Sequence, residues 1–176
     1  MRTAPPASVL RPMLGDSPAG VDSLTFRKAL GCFATGVAVV TARDAAAGDV
    51  GITVSALASL SLEPPLLLIC IDRRAVMHGM LHTARHFAVS VLAADQERLA
   101  RRFAGPQRER FTDVAVQRGM TGAALITGAH AHVECERVEA HAGGDHTIFI
   151  GRVIAAHIES AAPLLHHGGA YRQLPR

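Results

Sequence analysis

HAHVECERVEAH (130–141), AGGD (142–145) and HTIFIGRVIAAH (146–157) form the most legible hairpin in the chain. Two long segments carrying β-branched and aromatic residues flank a link of small, turn-forming ones. Working outward from this hairpin, Phe87 to Leu92, Leu66 to Ile71, Ile52 to Leu60 and Val37 to Ala42 also read as strands. An Ala/Gly/Asp turn at 44–49 and the break Glu63-Pro64-Pro65 divide them. A first helix is expected from an N-cap at Asp22 or Ser23, with Phe26, Leu30, Phe33 and Ala34 at helical spacing, ending near Thr35-Gly36. A second helix, Ala75 to Ala84, carries Val76, Met77, Met80 and Leu81 on one side. A third is capped by Asp95, with Leu99 and Phe103 a turn apart. Strands outnumber helices and do not alternate regularly with them. The expected fold is therefore mainly β, an antiparallel barrel with peripheral helices, rather than a doubly wound parallel sheet.

At 176 residues the chain suits one domain. Residues 1–22 hold four prolines and little periodicity, so they read as a flexible N-terminal arm before a domain at 23–176. The longest clean apolar run, Leu66 to Ile71, falls far short of the roughly 20 residues of a membrane span. Pro5, Pro6, Arg11 and Pro12 break up any secretory apolar region, so a soluble, cytoplasmic protein with no membrane partner is expected. Cys32, Cys70 and Cys135 are scattered among apolar neighbours and read as reduced thiols. The net charge of +3 is almost all arginine, Lys28 being the sole lysine. Arg98, Arg101, Arg102, Arg108 and Arg110 cluster, but with one tyrosine and no tryptophan there is no platform for nucleic acid. A phosphate-bearing small molecule fits this charge better.

Several chemistries are excluded by missing motifs. No Gly-x-Gly-x-x-Gly separates a strand from a helix, and Gly31 to Gly36 lacks the Lys and Ser/Thr of a phosphate loop. There is no Gly-x-Ser-x-Gly elbow. His78, His82 and His86 stand at i, i+4 and i+8, but a catalytic metal wants three ligands on neighbouring elements and His86 falls past the expected helix, so no metal is expected. His130, His132, His166 and His167 read as surface or capping residues. Thr53, Ser55, Ser59 and Ser61 alternate along an extended segment, where their oxygens and adjacent N–H groups can line one side for the oxygens of a small ligand. A Ser/Thr-rich edge strand fits the same spacing.

Three segments together resemble the flavin reductase-like family: FRKALGCFATGVAVVT (26–41), GITVSALASLSLEPPL (51–66) with CID (70–72), and GDHTIFIG (144–151). FAVSVL (87–92), Arg110-Phe111 and YRQL (171–174) are similar to it as well, and the likeness runs from Leu24 to about Arg172 in the family's order. The resemblance implies an antiparallel Greek-key split barrel, a homodimer, and hydride transfer from NADH or NADPH to FMN or FAD. It also implies a separate monooxygenase that uses the reduced flavin. On the same basis the cofactor-binding residues are Thr35, Gly36, Val37, Thr53, Val54, Ser55, Ala56, Ser59, Cys70, Ile71, Asp72, Ser90, Val91 and Leu92. Backbone N–H groups near Ser55 and along 90–92 are expected to face the flavin's developing negative charge. His146 of the Gly-Asp-His motif would position the nicotinamide, with Phe149 and Tyr171 as ring-packing walls, and Arg85 or Arg110 could meet a phosphate. Where many relatives have Thr-Ala-Asn-Ser this chain has Thr53-Val54-Ser55-Ala56, a loss of side-chain donors that suits a loosely held flavin. The rival expectations are a non-enzymatic flavin binder, an oxidoreductase with tightly bound flavin, and a metal-dependent hydrolase built on the histidines.

Overall fold

The structure, a computed structural model, describes residues 20–44, 48–106 and 110–174. The elements in chain order are α1 (Ser23–Gly31), β1 (Thr35–Gly36), β2 (Ala38–Asp44), β3 (Gly48–Val54), β4 (Leu57–Leu62), β5 (Pro65–Asp72), α2 (Val76–Thr83), β6 (His86–Val91) and α3 (Glu97–Ala104). They continue with β7 (Val116–Arg118), β8 (Ala124–Ile126), β9 (Ala131–Gly143), β10 (His146–Ile158), β11 (Leu164–His167) and β12 (Ala170–Gln173). Seven strands make one sheet in the order β3-β2-β6-β9-β10-β5-β4, with antiparallel pairing throughout.

The two edges of that sheet, β3 and β4, are consecutive in the chain and separated only by Ser55 and Ala56. A two-residue link reaches at most about 10 Å, while seven flat strands would set their edges some 28 Å apart at the usual ~4.8 Å spacing. The sheet must therefore curl until its edges meet, giving an unclosed barrel with a seam at Ser55-Ala56. This is the mainly-β, split antiparallel barrel expected from the sequence.

The concave side holds Val40, Ala42, Val50, Ile69, Ile71, Phe87, Val89 and Phe149, and α2 plugs it with Met77, Met80 and Leu81. A second apolar cluster joins Val37, Val39, Leu92, Ile126 and Leu164 to Ala100 and Phe103 of α3. The β9–β10 hairpin turns through Gly144-Asp145 alone, with His146 opposite Gly143. Gly144 has φ +65°, the first-position geometry that a II′ hairpin turn reserves for glycine.

Several sequence boundaries change. Ile52 to Leu60 is not one strand, because the chain leaves β-pairing at Ser55-Ala56 to cross the seam. The first helix stops at Gly31, and the chain then enters β1, which pairs with β11. Its N-cap is Asp22, whose Oδ1 accepts from Leu24 and Thr25 N–H. Val76 is exposed, unlike Met77, Met80 and Leu81. The N-cap position of α3 is Gln96, not Asp95; its side chain makes no capping bond to the helix and instead bridges Ala93 N–H and the Thr127 carbonyl. The expected arm at 1–22 lies outside the described residues up to 19, as do Arg108 and the tip of the 44–49 turn.

Candidate functional site

Three clefts of about 120, 270 and 260 Å³ converge on the seam, and all three include Val54 and Ser55 in their walls. One runs along Phe33 to Ala38, Leu57 and Val91; another is bounded by Val37, Thr53, His166 and Tyr171. The last lies between Ala56 and Ile52 on one side and Cys70, Ile71, Asp72 and His146 on the other. The topology explains this meeting point: β5 and β10 are neighbours, so Asp72 lies opposite His146 in register, while the seam closes over them from β3.

At the seam the backbone is already partly committed. The Ser55 carbonyl accepts from Leu57 N–H and the Ala56 carbonyl from Cys70 N–H, both at 3.1 Å. Among the described residues neither the Ser55 nor the Ala56 N–H has a partner, and both residues are exposed. Two adjacent backbone donors are thus left without a partner in residues that line the clefts.

Across the seam, His146 Nδ1 lies 2.7 Å from Asp145 Oδ1. An Nδ1–H given to that carboxylate leaves Nε2 as the free ring nitrogen. The His146 ring holds the Asp145 carboxyl below its ordinary range. Asp72 is held far below the carboxylate range, first by the Arg74 side chain at 2.7 Å and then by Arg74 N–H, with His146 adding a smaller pull. Two carboxylates and one guanidinium therefore flank the imidazole. Burial pushes the Cys70 thiol up, so this cleft residue is a neutral, inert wall.

Of the residues singled out from sequence, Thr35, Gly36, Val37, Thr53, Val54, Ser55, Ala56, Cys70, Ile71, Asp72, Val91, His146 and Tyr171 all line one of these clefts. Others are placed elsewhere. The Ser90 hydroxyl is fully buried and accepts Ile126 N–H at 3.0 Å, so it is turned toward β8 and away from the seam. Leu92 is buried in the α3 cluster and its N–H donates to the Val37 carbonyl, which removes it as a free donor. Phe149 lies on the barrel interior against His78 and His82, since it follows His146 by an odd number of residues along β10. Ser59 is exposed on β4 and lines none of these clefts. The Thr53 hydroxyl donates to the Ala100 carbonyl at 2.7 Å, tying β3 to α3. Arg110 bonds the carbonyls of Gly51 and Gly105, and Arg85 pairs with Glu136, so both are engaged structurally.

Phe33, Ala34, Leu57 and His166 join the clefts without having been singled out from sequence for them. His166, expected as a surface residue, packs edge-on against Tyr171 at 5.6 Å, and Arg101 sits 4.9 Å above the same tyrosine ring. Only the pairing of the chain's tail with β1 brings His166 there, and no local pattern announces that contact. His132, also expected at the surface, is buried, its Nε2 2.8 Å from the Ile126 carbonyl.

The family model described as flavin reductase like domain matches residues 30–175. The FMN reductase (NADH) SmoA of Agrobacterium fabrum is 42% identical over 159 residues, 90% of each chain. The reductase component of the FADH(2)-dependent resorcinol hydroxylase of Rhizobium sp. is 39% identical over 161 residues, 88% of each. The solved structure of the Streptomyces globisporus NADH:FAD oxidoreductase SgcE6, in complex with NAD and FAD fragments, superposes with a TM-score of 0.84 at 43% identity. That match covers 88% of this chain and 93% of the other.

Proposed function

Because the chain belongs to the flavin reductase like domain family, we propose that it uses NADH to reduce FMN or FAD at the seam of the barrel and releases the reduced flavin to a separate monooxygenase. The observation that carries this reading is the seam itself: two unpartnered N–H donors at Ser55-Ala56, three clefts meeting there, and His146 fixed across from them.

The residues present fit a flavin. The clefts offer apolar walls from Val37, Val54, Leu57 and Val91 for a ring system, and Thr35, Ser55 and the paired N–H groups for its polar edge. The flavin, when bound, supplies the acceptor for a hydride, a two-electron reduction that leaves negative charge on its pyrimidine end. Ser55 and Ala56 N–H are placed to stabilise that charge without reorganisation. His146 presents Nε2 toward a nicotinamide carboxamide while Asp145 holds the ring in place. The protein's share of the work is stacking and exclusion of water, so no side chain serves as general acid or base.

The exposed, two-sided seam and the missing side-chain donors at 55–56 favour a flavin that exchanges with solution. A cytoplasmic setting accompanies this reading, since NADH and a partner enzyme would be supplied there and the free cysteines would stay reduced. No helix among the described residues is long and apolar enough to cross a membrane. The working unit is a homodimer joined through α1, a helix with no buried residue that presents Leu24, Phe26 and Leu30 to solvent, with Phe33 exposed just beyond its end. The flavin-reducing domain begins with α1 at residue 23.

Anaerobic mixing of the purified chain with NADH and excess FMN or FAD tests the reading. Catalytic bleaching of the flavin band is the expected outcome, and failure with both flavins would refute it.

A further inference from the structure

The histidine pair on α2 takes no part in the reaction just described. His78 and His82 are one helical turn apart, and their Nε2 atoms lie 3.3 Å from each other. Two Zn–N bonds of about 2.0–2.1 Å meeting at a tetrahedral angle span roughly the same distance, ~3.3 Å. The rings are held in this arrangement from below: their centroids lie 4.6 Å apart, and each packs edge-on against the buried Phe149, at 5.7 Å for His78 and 5.2 Å for His82. Thr147 Oγ1 is 2.9 Å from His78 Nε2, so a polar oxygen borders the same spot. His82 is exposed, which opens the pair to solvent. One proton shared between the two Nε2 atoms holds the pair together, and neither nitrogen is tied to a carboxylate.

We propose that His78 and His82 chelate one borderline divalent transition-metal ion, of the Zn²⁺ or Ni²⁺ class. The ion takes the place of the proton shared between the two Nε2 atoms, and imidazole nitrogen is a preferred donor for these metals. Among the described residues no third His, Cys, Asp or Glu completes a closed cage. His86, the third member of the sequence spacing, stands at the head of β6, past the helix end. The remaining positions are filled by water, with the Thr147 hydroxyl released from His78 to bond a metal-bound water. The ion is thus exchangeable and is not required for flavin reduction. Successive side chains of β10 point to opposite faces, so an ion over Thr147 sits behind the strand whose other face carries His146. Its effect is to cross-link one turn of α2 over the strand that presents the proposed nicotinamide-facing residue.

Isothermal titration of the untagged, chelator-treated full chain with Zn²⁺, followed by Ni²⁺, tests the proposal. One ion per chain is expected, with a rise in melting temperature. H82A, at an exposed position, is expected to keep the metal-free melting temperature and lose the metal-induced rise. Its affinity should fall by more than roughly tenfold, the scale that even an outer-sphere partner of a metal ligand carries. H157A, which removes an exposed histidine paired with Glu159, is expected to bind as the parent does. Stoichiometric binding that survives in H82A, or no saturable binding by the parent chain, would overturn the proposal.

Discussion

At the scale of the residue, the Asp145–His146 pair carries the sharpest expectation. Asp145 Oδ1 and His146 Nδ1 are 2.7 Å apart on an exposed turn, so the carboxylate orients the ring without burying it. His146→Ala removes the group proposed to meet the nicotinamide and leaves Ser55 and Ala56 intact. The KM for NADH should rise much more than that for flavin. If the lost contact is worth the ~0.5–1.5 kcal/mol of a neutral hydrogen bond, kcat/KM for NADH drops roughly 2- to 12-fold. Asp145→Asn should move NADH kinetics in the same direction but less, since an amide still accepts from Nδ1. Steady-state kinetics with each substrate varied separately reads both effects, and equal changes in the two KM values would remove His146 from the nicotinamide side. Part of this site was legible in the sequence: Ser55 and, through the resemblance of its Gly-Asp-His turn, His146 both line a seam cleft, whereas Thr53 turns its hydroxyl to Ala100 and Ser59 lies outside the clefts. Ser90, Leu92 and Phe149 were not separable in that way. Which face of a strand turns toward a ligand depends on β-partners that only the folded sheet supplies.

At the scale of the element, the β9–β10 hairpin and the short β7–β8 pair make a contrast. The long hairpin announces itself by length, β-branched residues and a Gly-Asp turn. The short pair is held by bonds between distant residues: Thr41 Oγ1 donates to the Ala124 carbonyl at 2.6 Å, and Ser90 accepts Ile126 N–H. No local period records such contacts, and β7 and β8 went unread for that reason. The loop leading into β8 is clamped by Glu134 of β9, whose carboxylate accepts Met120 N–H, Thr121 N–H and the Thr121 hydroxyl. Burial pushes the Glu134 carboxyl up, but those bonds, led by the Thr121 hydroxyl, outweigh it and leave the group below its usual 4.5. A carboxylate depressed in the folded state stabilises above its unfolded pKa. That stabilisation is lost as pH falls through the folded value, so Glu134 contributes at neutral pH and fades below about pH 4.5. Glu134→Gln turns an N–H₂ toward backbone donors and should cost about 1–3 kcal/mol at pH 7. The difference from the parent should shrink in acid, as read from urea midpoints across that range. Along the same hairpin, a Cβ on Gly151 would meet the Phe87 ring at 2.5 Å and the Cys135 Cβ at 2.9 Å. Gly151→Ala therefore forces the core apart at a cost of about 1–3 kcal/mol, visible as a lower melting temperature.

At the scale of the whole molecule, the sheet order was only partly legible. Strand count and turn chemistry gave an antiparallel barrel, but the seam follows from a fact about connectivity: the two edge strands are neighbours in sequence, joined by Ser55-Ala56. The helix α1 raises the remaining question of scale. Isolated helices shorter than about 12–15 residues are marginal in water, and α1 has nine residues, none of them buried. Its Asp22 cap supplies on the order of 1 kcal/mol, too little to hold a helix alone. Leu24, Phe26 and Leu30, together with Phe33, are each more than half exposed, and burying side chains of this size yields about 1.5–3 kcal/mol apiece. A second copy of the chain supplies that burial in the proposed homodimer. Phe33 and Ala34 continue from α1 into the wall of one seam cleft, so loss of the dimer should also loosen the flavin site. The double variant Phe26→Asp/Leu30→Asp sets two charges on the exposed face without touching a cleft-lining residue. Sedimentation should show the parent at twice the chain mass and the variant at the chain mass, with weaker FMN binding in the variant. A parent that sediments as a single chain would dismiss the homodimer while leaving the seam chemistry untouched, because every residue proposed to face flavin and nicotinamide belongs to one chain.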